Sequence, residues 1–216
     1  MQDRYAGDIG DFTKFYLIKR IQRILDYQDG DFGLNWYLND RPERNGDGHK
    51  TSFLADPFHI QLDAQLVSDL NTTLLNRRVS TLEDTVRLPS KAVYFSDPVP
   101  SEPSSRHAWH QIALKKLAGV KAVLLDPDNG LQPPSAQGSK LPKYVVSHEI
   151  QDYVHRNELT IVYQHFSRQP RDQRLGAINR FLQASISGHF QHCVVYRAAR
   201  YYVLIGRDPK LLTSIH

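Results

Sequence analysis

The feature that most constrains the fold is a short, almost wholly apolar run, VKAVLLD, at residues 120–126. Its length is that of a β-strand, and the lack of an alternating pattern is typical of a strand that is covered on both faces. Such strands occur in parallel sheets that carry helices on either side. The sequence therefore predicts an α/β fold with this strand inside the sheet.

The rest of the chain alternates between segments with helical spacing and short apolar runs. Helices are predicted at 11–28, 59–76, 104–119, 148–157 and 171–186, and further strands at 32–38, 92–96, 159–164, 190–197 and 200–206. Only Ala198 and Ala199 separate the last two strands, so we expect them to form an antiparallel hairpin. The predicted fold class is an α/β three-layer sandwich, with a mainly parallel sheet that ends in an antiparallel hairpin.

Composition agrees with a single α/β domain over residues 1–216, since 40% of the residues are hydrophobic and 23% are charged. Lys and Arg number 27 against 23 Asp and Glu, and the resulting net charge of +4 fits a nucleic acid partner. No apolar run approaches the roughly 20 residues of a membrane span, and the first residues are polar. The single cysteine, Cys193, excludes an internal disulfide. We expect a cytoplasmic protein that does not cross a membrane.

Polar residues follow the central strand directly, in the order Asp126, Pro127, Asp128, Asn129 and Gly130. Ligands of parallel α/β sheets bind outside the carboxyl ends of the strands, so this loop lies where a site is expected. The carboxylates could bind a hard metal ion, accept a hydrogen bond from an amino group, or only cap the loop. Turn chemistry alone also accounts for every residue type in this loop.

The strand predicted at 159–164 ends in a second polar group, formed by Gln164, His165 and Arg168. This group would lie beside the Asp126 loop if the two strands are neighbours in the sheet. His165 is a candidate general base or metal ligand. Arg168 is a candidate phosphate ligand, and Gln164 a candidate substrate contact. A histidine in a loop can also be merely exposed.

The third polar group is YAGDIGDFTKF, residues 5–15, in which two Gly-Asp pairs precede a helix. Asp8 and Asp11 are candidate substrate contacts, and Lys14 is a candidate catalytic residue one turn into the helix. Asp11 is also a natural N-cap. The two carboxylates would repel an anion, and the sequence contains no phosphate-binding G-x-x-x-x-G-K-[ST] motif. We expect the three polar groups to converge on one pocket.

Aromatic residues give one more candidate. Trp36, Tyr37 and Trp109 could stack on bases, and Tyr37 is taken as a candidate substrate contact, although aromatic residues are more often buried in a core. The polar loop at 39–50 contains no G-x-G-x-x-G motif of a dinucleotide site. It could contact a substrate or simply lie in solvent.

Two of these segments, YAGDIGDFTKFYLIKRI and AVLLDPDNG, resemble the first segment and the catalytic strand end of RlmJ, a bacterial family of ribosomal RNA adenine methyltransferases. The positions that match the family's motifs are Gly7, Asp8, Asp11, Lys14, Asp126 and Pro127. The resemblance implies a Rossmann-like fold, S-adenosylmethionine as cofactor and a nucleic acid substrate. It also implies that Asp126 accepts from an exocyclic amine, that Asn129 orients the base, and that Lys14 and Arg168 hold phosphate or the cofactor carboxylate.

The chain departs from this family at three places. Phe15 stands where the family has a histidine that contacts S-adenosylmethionine, and YLNDRPERNG lacks the family's glycine-rich cofactor turn. Asp128 and Asn129 replace a Pro-Tyr pair, which removes the ring that would stack on a flipped adenine. These departures concern the cofactor and the base, and leave the predicted fold unaffected.

Three functions are therefore open at this stage. The first is a divergent methyltransferase-like protein that acts on nucleic acid. The second is a metal-dependent nuclease or phosphohydrolase, in which carboxylates hold Mg²⁺ or Mn²⁺ and Lys14 or His165 assists. The carboxylates available for that metal ion are Asp126 and Asp128, with Asp8, Asp11 or Glu149. The third is a catalytically inactive binding protein that has kept the sheet.

Overall fold

The computed structural model describes residues 1–40, 50–165, 169–197 and 200–215. Its strands are β1 (Phe32–Asn35), β2 (Val93–Phe95), β3 (Ala122–Leu125), β4 (Gly130–Leu131), β5 (Tyr144–Val145), β6 (Leu159–Gln164), β7 (Gln191–Arg197) and β8 (Arg200–Gly206). Six of them form one sheet in the order β2-β1-β3-β6-β8-β7, and β4 pairs with β5 separately. The first four strands of the large sheet are parallel, and β8 is antiparallel to both β6 and β7.

The helices are α1 (Ile9–Ile24), α2 (Pro57–Thr73), α3 (Val79–Thr85), α4 (Pro103–Lys116), α5 (Ser147–Arg156), α6 (Arg171–Ser185) and α7 (Pro209–Ile215). Short 3₁₀ helices lie at Asp3–Tyr5, Ser52–Ala55 and Gly138–Lys143. One face of the sheet packs against α1, α2, α3 and α7, and the other against α4, α5 and α6. The predicted fold class is confirmed: this is a Rossmann-like α/β sandwich whose mainly parallel sheet ends in an antiparallel hairpin.

The apolar run that predicted the central strand is buried on both of its faces. Ala122 and Leu124 of β3 belong to the core beneath α1 and α2, whereas Val123 and Leu125 belong to the core beneath α4 and α5. All four side chains are fully buried. Because both faces exclude water, neither needs polar residues, and the strand shows no alternating pattern.

The start of α1 corrects one prediction, since Asp8 and not Asp11 is the N-cap. The Asp8 side chain accepts hydrogen bonds from the backbone N–H groups of Gly10 and Asp11, so the helix begins at Ile9. Asp11 lies inside the first turn instead, where its carboxylate is buried and accepts from the N–H of Gly7. Lys14, three residues further along the helix, is buried as well.

The order of the strands determines which loops meet at the carboxyl ends of β3 and β6. β3 and β6 are parallel neighbours, so the residues after Leu125 and after Gln164 leave the sheet side by side. β8 runs the opposite way, with Tyr201 paired to Gln164, so the beginning of β8 reaches the same edge. No helix within the described ranges is long and apolar enough to cross a membrane.

Candidate functional site

A pocket of about 350 Å³ lies outside the carboxyl ends of β3 and β6. The candidate residues that the structure brings together in its lining are Asp8, Asp11, Lys14, Asp126, Asp128, Asn129 and His165. All three polar groups of the sequence therefore converge at this position, although the chemical role of each residue is still a prediction. Lining residues that the sequence did not point to include Tyr5, Lys50, Lys143, Tyr163 and Arg200.

Lys14 is the central cation of the pocket. Its Nζ lies 2.8 Å from Asp11 Oδ1 and 2.6 Å from Asp126 Oδ2, and 4.7 Å from the ring centroid of Trp36. All three charged side chains are buried. Burial raises the pKa of Asp11 and of Asp126. Burial alone would lower the pKa of Lys14, but the two carboxylates outweigh it and raise that pKa, so the lysine stays charged.

Asp128 is surrounded by donors. Its carboxylate lies 3.1 Å from the Met1 ammonium and accepts from Gln2 Nε2 at 2.7 Å and from Asn39 Nδ2 at 3.1 Å. Burial opposes the charged form, but these donors, led by the ammonium, outweigh it and lower the pKa of Asp128. The carboxylate therefore stays ionised in the pocket wall.

The Met1 ammonium has two further acceptors in this wall. It donates to the backbone carbonyls of Tyr37 at 3.1 Å and of Asp126 at 2.9 Å, in addition to its contact with Asp128. One carboxylate and two carbonyls thus form an acceptor set for a primary ammonium group.

Gln164 holds the loop after β3 in place. Its Nε2 donates to the carbonyl of Asn129 at 2.9 Å, and its Oε1 accepts from the N–H of Leu131 at 2.9 Å. Gly130 has a φ of 107°, and a Cβ at this position would overlap the Gln164 amide. Gln164 therefore positions both Asn129 and Leu131 through its amide group. The substrate contact that the sequence suggested for Gln164 stays a prediction.

The opposite wall joins β6 to β8. The Nδ1 of the exposed His165 lies 3.2 Å from the hydroxyl of Tyr163, and Arg200 Nη2 lies 3.6 Å from Asp8 Oδ2. Burial raises the pKa of Tyr163 to about 12, so its hydroxyl stays protonated. Arg200 was missed because its place in the pocket follows only from the antiparallel pairing of β8 with β6.

Tyr37 lies outside the pocket lining. Its ring is fully buried, and its hydroxyl donates to Glu149 Oε2 at 3.1 Å. Glu149 also forms a bidentate pair with Arg106, at 2.7 and 2.9 Å. Tyr37 has a φ of 45°, which ends β1 at Asn35, three residues before the predicted end. The side chain thus belongs to the core. Arg168, another candidate from the sequence, is not among the described residues.

The metal-ion interpretation finds no support in this geometry. Among the residues that the structure describes, no group of three or more His, Cys, Asp or Glu side chains is placed to hold a metal ion. The Lys14 ammonium lies between Asp11 and Asp126, and Glu149 is engaged by Arg106.

Part of the pocket lining has the chemistry that the amino-acid end of S-adenosylmethionine requires. The acceptors around the Met1 ammonium suit the α-ammonium of the cofactor, which would have to displace Met1. Lys50, on the rim, suits its carboxylate. Within the described part of the loop after β1, residues 36–40 contain no glycine and begin with the fully buried Trp36 and Tyr37, so this part offers no glycine-rich turn for the adenosine end.

No protein-family model matches the chain, and no curated protein matches it. Among solved structures, the chain is similar to a putative rRNA methylase from Clostridium thermocellum, with 13% identity over 92% of this chain and 96% of that chain, at a TM-score of 0.34. It is also similar to an rRNA methylase from Streptococcus thermophilus, with 11% identity over 87% and 94% of the two chains, at a TM-score of 0.35. Likeness at this level carries no conclusion about function.

Proposed function

We propose that the protein is a methyltransferase-like protein that acts on nucleic acid, with the Asp126 loop at its active site. The observation that carries this proposal is a buried carboxylate, fixed by Lys14 at the carboxyl end of a parallel strand. A carboxylate accepts a hydrogen bond from the exocyclic amine of a base. The pocket lining also carries two lysines, Lys50 and Lys143, and these suit the phosphates on either side of that base.

Each pocket residue has a role in this proposal. Asp126 accepts from the amine, and Lys14 holds the Asp126 carboxylate in position. Asn129, held through its backbone by Gln164, orients the base. His165, at the exposed edge of the pocket, is the group that accepts the proton lost by the amine. S-adenosylmethionine, when bound, supplies the methyl group.

Substitution of Asp126 tests this proposal. Asp126→Asn keeps the size of the side chain and removes its charge, so we expect transfer of a labelled methyl group to RNA or DNA to fall by about 100-fold. The matched control is Asp31→Asn, which breaks the Asp31–Lys121 ion pair at 2.9 Å on the opposite edge of the sheet. This control should leave transfer unchanged, and a thermal melt of each variant verifies that it folds.

Two results would overturn the proposal. The absence of heat on titration with S-adenosylmethionine, together with no methyl incorporation, would exclude the methyltransferase. Full activity of Asp126→Asn would exclude the Asp126 loop as the active site.

The buried residues after β1 favour one alternative, a binding protein without catalysis. Trp36 and Tyr37 occupy the end of this strand, where the resemblance calls for a glycine-rich turn that receives the cofactor. Such a protein would bind nucleic acid at the same pocket and give no heat with the cofactor. Calorimetry with S-adenosylmethionine therefore separates the two functions.

A further inference from the structure

A second cavity opens directly beside the pocket, and we call it the groove. Its volume is about 1070 Å³, and its lining shares Asn129 and His165 with the pocket, so the two cavities are adjacent. One wall is the loop at 131–135 that includes the end of β4, and the other wall is a single face of α6.

The groove and the pocket differ in charge. The pocket lining contains four aspartates, whereas none of the described residues that line the groove carries a carboxylate. Two arginines of α6 line the groove. Arg174 is buried and donates from Nη1 to the hydroxyl of Tyr201 at 2.6 Å, and Arg180 is exposed. A lining with cations and no carboxylates attracts a polyanion.

The surface between these charges is apolar and aromatic. Ala177, Ile178 and Phe181 line the groove at helical spacing, so they form one stripe along α6. Phe181 and Tyr144 are both half-buried, and each therefore leaves part of its ring open to the groove. Aromatic rings beside cations bind single-stranded nucleic acid, because unpaired bases stack on the rings while the cations pair with phosphates.

We propose that the groove binds an unpaired stretch of nucleic acid next to the nucleotide that enters the pocket, so that the substrate is single-stranded. This inference rests on the proposed function, from which it takes the nucleotide in the pocket. A base stacks on Phe181, and Arg180 pairs with a phosphate. A duplex cannot make the same contacts, because its bases are already stacked within the helix.

Binding of a labelled single-stranded RNA and of its duplex, measured by fluorescence anisotropy at several salt concentrations, tests the groove. We expect the single strand to bind about tenfold more tightly than the duplex. Phe181→Leu keeps an apolar side chain without a ring and should weaken single-strand binding by about tenfold. Arg180→Gln should weaken it by about threefold and reduce the slope of log affinity against log salt by about 0.7.

The same chemical changes at two sites outside both cavities are the controls, namely Phe58→Leu on α2 and Arg23→Gln on α1. Equal effects of the groove variants and their controls would overturn the proposal, as would tighter binding of the duplex. Methyl transfer to the same single-stranded and duplex RNAs separates failure of the groove proposal from failure of the proposed function. Transfer that depends on Asp126 but occurs only on the duplex would leave the proposed function standing and exclude the groove.

Discussion

At the centre of the pocket, Lys14 places one positive charge between two carboxylates that have almost no contact with water. Such a group is stable only while it is complete, because removal of one partner leaves a buried charge without compensation. The conformation of the loop after β3 also depends on single residues. Gly130 has a backbone conformation that favours glycine, and Gln164 packs where a side chain at Gly130 would lie.

Replacement of Lys14 by methionine should destabilise the protein strongly. Lys14→Met keeps the length of the side chain but leaves Asp11 and Asp126 facing each other without a cation, so we expect a loss of about 3–5 kcal/mol in the free energy of unfolding. Urea denaturation measures this loss. Lys121→Met breaks an exposed pair with Asp31 and should cost less than about 1 kcal/mol. Similar losses in the free energy of unfolding for Lys14→Met and Lys121→Met would show that the buried group around Lys14 stabilises the protein no more than an exposed ion pair does.

Substitution of Gly130 by alanine separates backbone strain from displacement of Gln164. Gly188 also has a positive φ, 84°, but no atom lies within 4 Å of a Cβ placed there. Gly188→Ala should therefore cost about 1 kcal/mol from strain alone. Gly130→Ala should cost at least about 1 kcal/mol more, because it also disrupts both hydrogen bonds of Gln164. Equal melting temperatures for the two variants would refute this account.

At the scale of elements, α4 and α5 meet through His110, which is fully buried. Its Nε2 lies 2.9 Å from Asp152 Oδ2, and its ring packs against His148 and Tyr153 with centroids 5.7 and 5.5 Å away. Burial lowers the pKa of His110, and the nearby charge of His148 acts in the same direction. Glu149 and Asp152 oppose this effect only in part. The interface between the two helices therefore favours the neutral form of His110 over its charged form.

This interface predicts a loss of stability in acid. Because the pKa of His110 is lower in the folded protein than in the unfolded chain, its contribution is complete above the unfolded value of about 6.5 and is lost as the pH falls below it. His110→Gln should reduce the fall in free energy of unfolding between about pH 7.5 and 5.5. His155→Gln, at an exposed position on α5, should leave that fall unchanged. If the free energy of unfolding of His110→Gln fell as much as that of the unchanged protein, His110 would not be the cause of the loss of stability in acid.

At the scale of the whole molecule, the spacing of apolar residues predicted the main helices and strands. A main helix buries one apolar stripe, and a central strand such as β3 is buried on both of its faces. It could not predict β4 and β5, which have two residues each, or the short α7. The strand-end rule placed Asp126 and His165 together, since β3 and β6 are parallel neighbours. Arg200 reaches the pocket through the pairing of β8, which leaves no local pattern in the sequence.

The position of β8 has a consequence for the protein while it is being synthesised. β8 lies between β6 and β7, and Arg200, its first residue, forms part of the pocket wall. A nascent chain that has emerged only as far as α6 leaves β6 as an open sheet edge, and its pocket lacks that wall. Until β8 has paired with β6, the pocket therefore lacks the wall that Arg200 forms, and the backbone groups along one side of β6 have no partner strand.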